Sequence, residues 1–184
     1  ERELALGPVG RTICCHGEPR HARVTCFCTA IAVLFSLVSY TDARSQLADT
    51  LVSSAEQLIE HEEFQQAREL LENAIALYQQ TADAEPNLLV EALHAKGRVC
   101  LRIAHYDEAE SSLREAVELS QQLFGVESVE TAAVLASLGE LRQTLAKFEE
   151  AELLLDKALS IREALLGKSH PETASSVTLM GSLM

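Results

Sequence analysis

Residues 97–116, GRVCLRIAHYDEAESSLREA, and residues 139–158, GELRQTLAKFEEAELLLDKA, share glycine, aromatic, alanine and leucine positions at a spacing of 42 residues. A third copy lies at residues 55–74, AEQLIEHEEFQQARELLENA. The repeating columns are Ala55, Gly97, Gly139 and Gly181; Phe64, Tyr106 and Phe148; Ala67, Ala109 and Ala151; Leu71, Leu113 and Leu155; and Ala74, Ala116 and Ala158. Self-similarity at such a period is typical of stacked structural repeats, and these arrays usually serve as binding surfaces.

Apolar residues recur at helical spacing from about residue 45 onward, which predicts a pair of antiparallel helices, A and B, in each repeat. The predicted pairs cover about 45–60 with 63–82, about 87–103 with 106–124, and about 129–145 with 148–166, and a last helix A starts near Pro171. The fold class is therefore predicted to be all-α, an α-solenoid of antiparallel helix pairs over residues 45–184. Its repeats are expected at about 45–86, 87–128 and 129–170, with a partial fourth at 171–184.

The repeating columns also predict how the two helices of a pair meet. A glycine inside a helix costs about 1 kcal/mol relative to alanine, so Gly97 and Gly139 indicate close approach by a neighbouring helix. We expect Ala109 and Ala151 of helix B to form the other side of that contact, with the leucine column buried between the helices. The aromatic column is expected to fill the wedge at the turn. Two further glycines are placed to end helix B with left-handed caps, Gly125 and Gly167.

The charge of the chain is distributed unevenly. The first 40 residues carry a net charge of +1 and the remaining 144 residues carry −14, which gives −13 for the 184-residue chain. An acidic repeat domain argues against nucleic acid as a partner, because phosphate binding needs a basic stripe. It also argues against an anionic membrane surface.

The N-terminal part of the chain lacks the repeat pattern. Residues 1–23 show no helical or strand period, which predicts a loop or a disordered segment. Residues 24–41, VTCFCTAIAVLFSLVSYT, carry no charge, and as a helix they would span ~27 Å, close to the ~30 Å of a hydrocarbon core. This apolar segment is either an anchor or leader, or a buried capping helix or poorly ordered tail. Because the sequence starts at Glu1 and has no methionine before Met180, we expect a fragment or a processed product.

The stretch Ala158–Ala174, ALSIREALLGKSHPETA, resembles the tetratricopeptide repeat in the longer form found in kinesin light chains, as do YDEAE from Tyr106 and FEEAE from Phe148. The usual period of this repeat is ~34 residues. The resemblance implies a superhelix whose A helices line a concave groove. It also implies a scaffold or adaptor that binds a peptide or protein partner in that groove, as kinesin light chains hold cargo peptides.

Counting from the glycine column places several helix A side chains in that groove. Arg98 and Arg102 lie one turn apart in an otherwise acidic array. They either clamp an acidic or phosphorylated peptide group, or pair with Glu56, Glu60 or Glu140 of neighbouring repeats, or are solvated. The candidate partner-binding residues are Glu56, His94, Arg98, Arg102, Glu140 and Gln143.

No metal, cofactor or catalytic site is predicted. The N-terminal cysteines and histidines lack the paired spacing of zinc ligands, and the chain has neither a phosphate-binding glycine loop nor an HExxH motif. We therefore expect a cytoplasmic, non-enzymatic protein whose partner is a protein or peptide. The alternative function is a membrane-tethered or organellar assembly factor anchored by residues 24–41. The Cys/His cluster considered for metal is Cys14, Cys15, His16, His21, Cys26 and Cys28.

Overall fold

The computed structural model describes residues 43–80 and 85–182, and all regular structure there is α-helical. From α3 to α6 the observed bounds agree with the predicted helices to within one residue. The N-terminal segments 1–23 and 24–41, with their cysteines and histidines, lie outside the described residues. The helices are α1 (43–60), α2 (Phe64–Gln80), α3 (Pro86–Arg102), α4 (Tyr106–Phe124), α5 (Val129–Thr144), α6 (Phe148–Leu166) and α7 (Pro171–Gly181).

The helices form two layers. Each helix from α2 to α6 packs against the next one along the chain, and α3 also contacts α5 directly. The predicted A helices α1, α3, α5 and α7 therefore alternate with the B helices α2, α4 and α6. Apolar clusters bridge these layers, and one of them joins Ala55 of α1, Leu71 of α2 and Val99 of α3. This is the predicted all-α solenoid of antiparallel helix pairs.

The glycine column marks the closest approach between helices A and B. A Cβ built on Gly97 would lie 2.5 Å from Leu113 Cγ, and one built on Gly139 would lie 2.7 Å from Leu155 Cγ. Both leucines are fully buried. The leucine column, rather than the alanine column expected from the sequence, supplies the atoms nearest to these Cβ positions. At Gly139 the backbone oxygen of Ala151 follows at 3.5 Å. The glycines make room for a large side chain rather than for a small one.

The turns between helices follow the repeat as well. Glu62, Ala104 and Ala146 are spaced by 42 residues and adopt positive φ angles of 60°, 60° and 58° between helix A and helix B. At the other turn, Gly125 and Gly167 follow the last residues of helix B with φ angles of 93° and 85°, but they do not form the left-handed caps that the sequence predicted. Their ψ angles of 165° and 164° are extended, a combination that is essentially restricted to glycine.

The aromatic column behaves differently along the array. Phe64 and Tyr106 are partly buried against the core clusters, as expected. The Arg102 guanidinium lies 5.7 Å above the centre of the Phe64 ring. Phe148, however, is 55% exposed. The prediction that the aromatic residue fills the space at the turn between helices A and B is therefore wrong for the third repeat. Among the described residues, α7 ends at Gly181, before the position that would correspond to Arg102 two repeats later.

An ion cluster lies at the junction of the first and second helix pairs. Arg68 on α2 contacts Glu72 at 3.2 Å and Glu108 on α4 at 3.1 Å. Lys96 on α3 adds a contact of 3.1 Å to Glu72. These pairs join three successive helices through side chains that are partly shielded from water.

The second junction uses the same columns with different charges. The position of Arg68 is occupied by Glu110, and the cation is Arg142 on α5, in the column of Cys100. Arg142 is only 4% exposed, donates two hydrogen bonds of 2.8 and 3.0 Å to Glu110, and contacts Glu150 at 3.0 Å. Hydrogen bonding from Arg142 lowers the pKa of Glu110 to about 2.

The close approach at Gly97 can be tested by Gly97→Ala. The new methyl group would collide with the branched carbon of buried Leu113, and we expect a net loss of about 1–2 kcal/mol in unfolding free energy, measured by urea denaturation. The control is Gly181→Ala, in the same column but with no heavy atom within 4 Å. That variant should be neutral or slightly stabilised. Equal stability of the two variants would contradict the assigned packing.

The second junction can be tested by Arg142→Met, which keeps much of the apolar stem. We expect a loss of about 2–3 kcal/mol, because Glu110 loses its best-shielded partner. Arg114→Met is the control, since Arg114 also contacts Glu110 at 2.8 Å but is 61% exposed, and it should cost about 0.5 kcal/mol or less.

We also expect Arg142→Met to change how the free energy of unfolding depends on pH. The pKa of Glu110 is lower in the folded chain than in the unfolded chain. The ionised carboxylate therefore adds to the free energy of unfolding in full above the unfolded pKa near 4.5, and this stabilisation is lost as the pH falls towards about 2. Urea denaturation across this window should show a smaller loss of stability for Arg142→Met than for the unmodified chain. Parallel pH profiles would contradict the role assigned to Arg142.

Candidate functional site

The side of α3 that remains exposed can be derived from what its other sides contact. Gly97 faces α4, and Val99 packs with residues of α1 and α2. The remaining side carries Glu91, Arg98 and Arg102, all of them exposed. It is the side turned away from α4, and it carries positions that the sequence predicted to face a groove.

Corresponding positions on α1 and α5 extend this surface. Glu56 and Glu60 on α1 are exposed, Glu140 on α5 is partly exposed, and Thr144 is exposed. We call this surface the helix A face, defined by Glu56, Glu60, Glu91, Arg98, Arg102, Glu140 and Thr144. One column across it reads Glu56, Arg98, Glu140, and the next reads Glu60, Arg102, Thr144.

The two arginines of the helix A face do not form ion pairs with the nearby glutamates of the described helices. Within residues 43–80 and 85–182, neither Arg98 nor Arg102 forms an ion pair with Glu56, Glu60 or Glu140. Among residues 43–80 and 85–182, the guanidinium group of Arg102 contacts the ring of Phe64. The pairing with neighbouring repeats that the sequence left open is therefore not observed, and both guanidinium groups are accessible.

His94 lies at the border of the helix A face and connects two A helices. Its Nε2 is 2.8 Å from the hydroxyl of Ser137 on α5, and the imidazole is largely buried. Burial lowers the pKa of His94 to about 4, helped by the positive charges of Arg98 and Arg162. The side chain is therefore neutral near pH 7, and its geometry fixes the spacing between α3 and α5.

Gln143 also bridges A helices. Its side-chain amide donates a hydrogen bond of 2.8 Å to the hydroxyl of Ser182, just after α7. The structure thus places Glu56, Arg98, Arg102 and Glu140 on a common exposed surface. It engages His94 and Gln143 in contacts between helices.

Arg162 is a polar residue that sequence periodicity did not mark as a site residue. It is buried on α6 and donates hydrogen bonds to the Ser176 hydroxyl at 2.7 Å and the Glu172 carbonyl at 3.2 Å, which join α6 to α7. The only sequence signal is its column, in which Tyr78 and Ser120 also link a B helix to other elements through polar side chains.

The described part of the chain offers little for other kinds of site. Its His, Cys, Asp and Glu side chains form no group of three or more suited to a metal ion. Burial raises the pKa of the Cys100 thiol to about 11, so this thiol is protonated near pH 7. Across residues 43–80 and 85–182, no helix combines the length and apolar character that a membrane crossing needs.

Comparison with known proteins confirms the resemblance to tetratricopeptide repeats. The family model described as Tetratricopeptide repeat matches residues 46–122 and 106–164, which together cover more than half of the chain. No curated protein matches the sequence.

Two solved structures of kinesin-light-chain type are similar. BtubC (BKLC) from P. vanneervenii is 20% identical with a TM-score of 0.67, and the match covers 91% of this chain and 66% of that one. A kinesin light chain candidate from P. anserina with nearly identical TPR-like repeats is 22% identical with a TM-score of 0.68, over 76% of this chain and 66% of that one. The chain thus spans just under two thirds of the length of each. At this identity the likeness shows the fold.

The assignment of His94 as a neutral, buried bridge can be tested by its titration. Because its folded pKa lies below the usual 6.5, the unfolded chain takes up a proton first, and this residue should cost stability as the pH falls from about 6.5 to about 4. Urea denaturation should show that His94→Gln loses less stability over this window. Ser137→Ala should retain most of the pH effect, since burial is its main cause. An imidazole NMR titration midpoint near 6.5 would contradict the assignment.

Proposed function

Because the chain belongs to the tetratricopeptide repeat family, we propose that it is a protein-interaction scaffold that binds a peptide or protein partner on its helix A face. Stacked helix pairs present an extended surface built from many similar positions, and such surfaces are commonly used for binding. Families of this kind are generally non-enzymatic scaffolds, and the proposal assigns no catalytic role. The partner is a protein rather than a nucleic acid, because the face is mainly acidic.

One observation carries the proposal: in the part of the chain that the structure describes, arginines at the helix junctions pair with glutamates, whereas those on the helix A face do not. Arg68 and Arg142 each contact two glutamates. Arg98 and Arg102 are exposed and lack such partners among the described residues. A guanidinium group can form paired, charge-assisted hydrogen bonds with a carboxylate or phosphate. Two such groups one turn apart therefore form a recognition point for an acidic group of a partner.

The rest of the face complements this recognition point. Glu56, Glu60 and Glu140 surround the two arginines with opposite charge. Carboxylates beside the two arginines orient an incoming partner and repel one that is uniformly negative. The proposal thus separates two roles: the arginines provide attraction at the centre, and the glutamates restrict which partners can approach.

The proposal can be tested by reversing the two arginines, Arg98→Glu with Arg102→Glu. Captured proteins from a cell extract would be compared by quantitative mass spectrometry with those captured by the unmodified chain. We expect partners bound through the helix A face to fall by about tenfold or more, corresponding to about 1.4 kcal/mol.

The matched control reverses Lys157 and Lys168 to glutamate. Both lysines are exposed, one on α6 and one in the turn after it, and the control has the same net charge as the test variant. The control should retain the partners. If both variants capture the same proteins at unchanged levels, the helix A face is not the binding surface. Circular dichroism melting would verify that both variants fold.

A further inference from the structure

The charges on the helix A face alternate from one A helix to the next. In the first column Glu56 on α1, Arg98 on α3 and Glu140 on α5 follow each other at successive repeats. Arg102 extends the positive position along α3, and Glu60 extends the negative position along α1. At the level of these columns the face therefore presents a negative strip on α1, a positive strip on α3 and a negative charge on α5, while Glu91 adds a negative charge nearer the start of α3. These three charged positions are called the three strips.

The contacts between the A helices fix the order and spacing of these strips. Ala55 of α1 and Val99 of α3 belong to one apolar cluster that also contains Leu71 of α2, so α1 and α3 share one core. The hydrogen bond between His94 and Ser137 and the direct packing of α3 on α5 fix the second spacing. Packed helices lie about 8–10 Å apart. The strips are thus held by the scaffold rather than by contacts between their own charges.

This spacing matches an extended peptide that crosses the helices. Such a peptide advances about 3.3–3.6 Å per residue, so neighbouring strips are separated by about three peptide residues. We propose that the helix A face binds an extended peptide with an acidic residue at Arg98 and Arg102 and a basic residue about three positions away on each side, at Glu56 and Glu140. This inference rests on the proposed function and specifies the chemistry of its partner.

The alternating pattern discriminates against simpler ligands. A uniformly acidic peptide would gain at Arg98 but would place like charges against Glu56 and Glu140. A uniformly basic peptide would have the opposite conflict at the two arginines. Like-charge contacts penalise wrong partners more reliably than opposite charges reward right ones. Only a basic–acidic–basic sequence satisfies all three strips at once.

The test uses short fluorescent peptides and the full chain, with binding measured by anisotropy. The matched peptide has the core Lys-Ser-Ala-Glu-Ser-Ala-Lys, and the permuted peptide has the core Lys-Lys-Ser-Ala-Ser-Ala-Glu, with the same composition and net charge. We expect the matched peptide to bind about tenfold more tightly and its affinity to fall as salt rises, since these exposed charges are screened.

A charge-exchanged protein provides the decisive comparison. The variant Glu56→Arg, Arg98→Glu, Arg102→Glu, Glu140→Arg has the same net charge as the unmodified chain, and it should instead prefer a peptide with the core Glu-Ser-Ala-Lys-Ser-Ala-Glu. All four side chains are at least partly exposed, and circular dichroism melting would verify folding.

Three outcomes would overturn the inference: equal binding of matched and permuted peptides, an unchanged preference in the exchanged variant, or no binding of the matched peptide at all. The proposed function would fail separately. If cellular partners depend on Arg98 and Arg102 but lack the alternating charge pattern, the helix A face remains the proposed binding surface and only the proposed peptide pattern is wrong.

Discussion

The fit of one leucine against one glycine is the constraint on which the other features depend. Leu113 presses against Gly97, and Leu155 presses against Gly139, at distances that leave no room for a Cβ atom. This contact sets how closely helix A lies on helix B and how helix A is rotated about its axis. The rotation determines which side chains point away from the core. Arg98 follows Gly97 directly in the chain, so the contact that buries one exposes the other.

The arginines divide into two groups because the scaffold gives them different surroundings. Arg68 and Arg142 lie at junctions, where an uncompensated charge would be costly, and each is matched by two glutamates. The two junctions reach this balance with exchanged charges, so the column alone does not dictate the sign. Arg98 and Arg102 face solvent, where a missing partner costs little. Cations that have no carboxylate partner among the described residues can therefore persist there at little cost in stability.

Sequence periodicity predicted the helices and the exposed side of α3, because both follow from regular spacing and from burial of the repeated apolar columns. It did not predict which side chain fills the space above Gly97, since a glycine reports close approach but not the neighbour's identity. It also missed the positive φ at Ala104, because no glycine marks that turn. Arg162 forms its hydrogen bonds with Glu172 and Ser176 of α7, which lie 10 and 14 residues further along the chain. No local sequence pattern specifies these contacts.

A ligand that crosses the helix A face would be coupled to the stacking of the repeats. The negative, positive and negative strips belong to α1, α3 and α5, so they are aligned only when both junctions between these helix pairs are formed. In a repeat array each unit contacts mainly its neighbours, and a junction can open without unfolding the whole chain. A ligand that binds only the fully stacked state stabilises that state by mass action. Under the proposed function, the junction contacts that hold the solenoid together would therefore also set the affinity of the helix A face for its ligand.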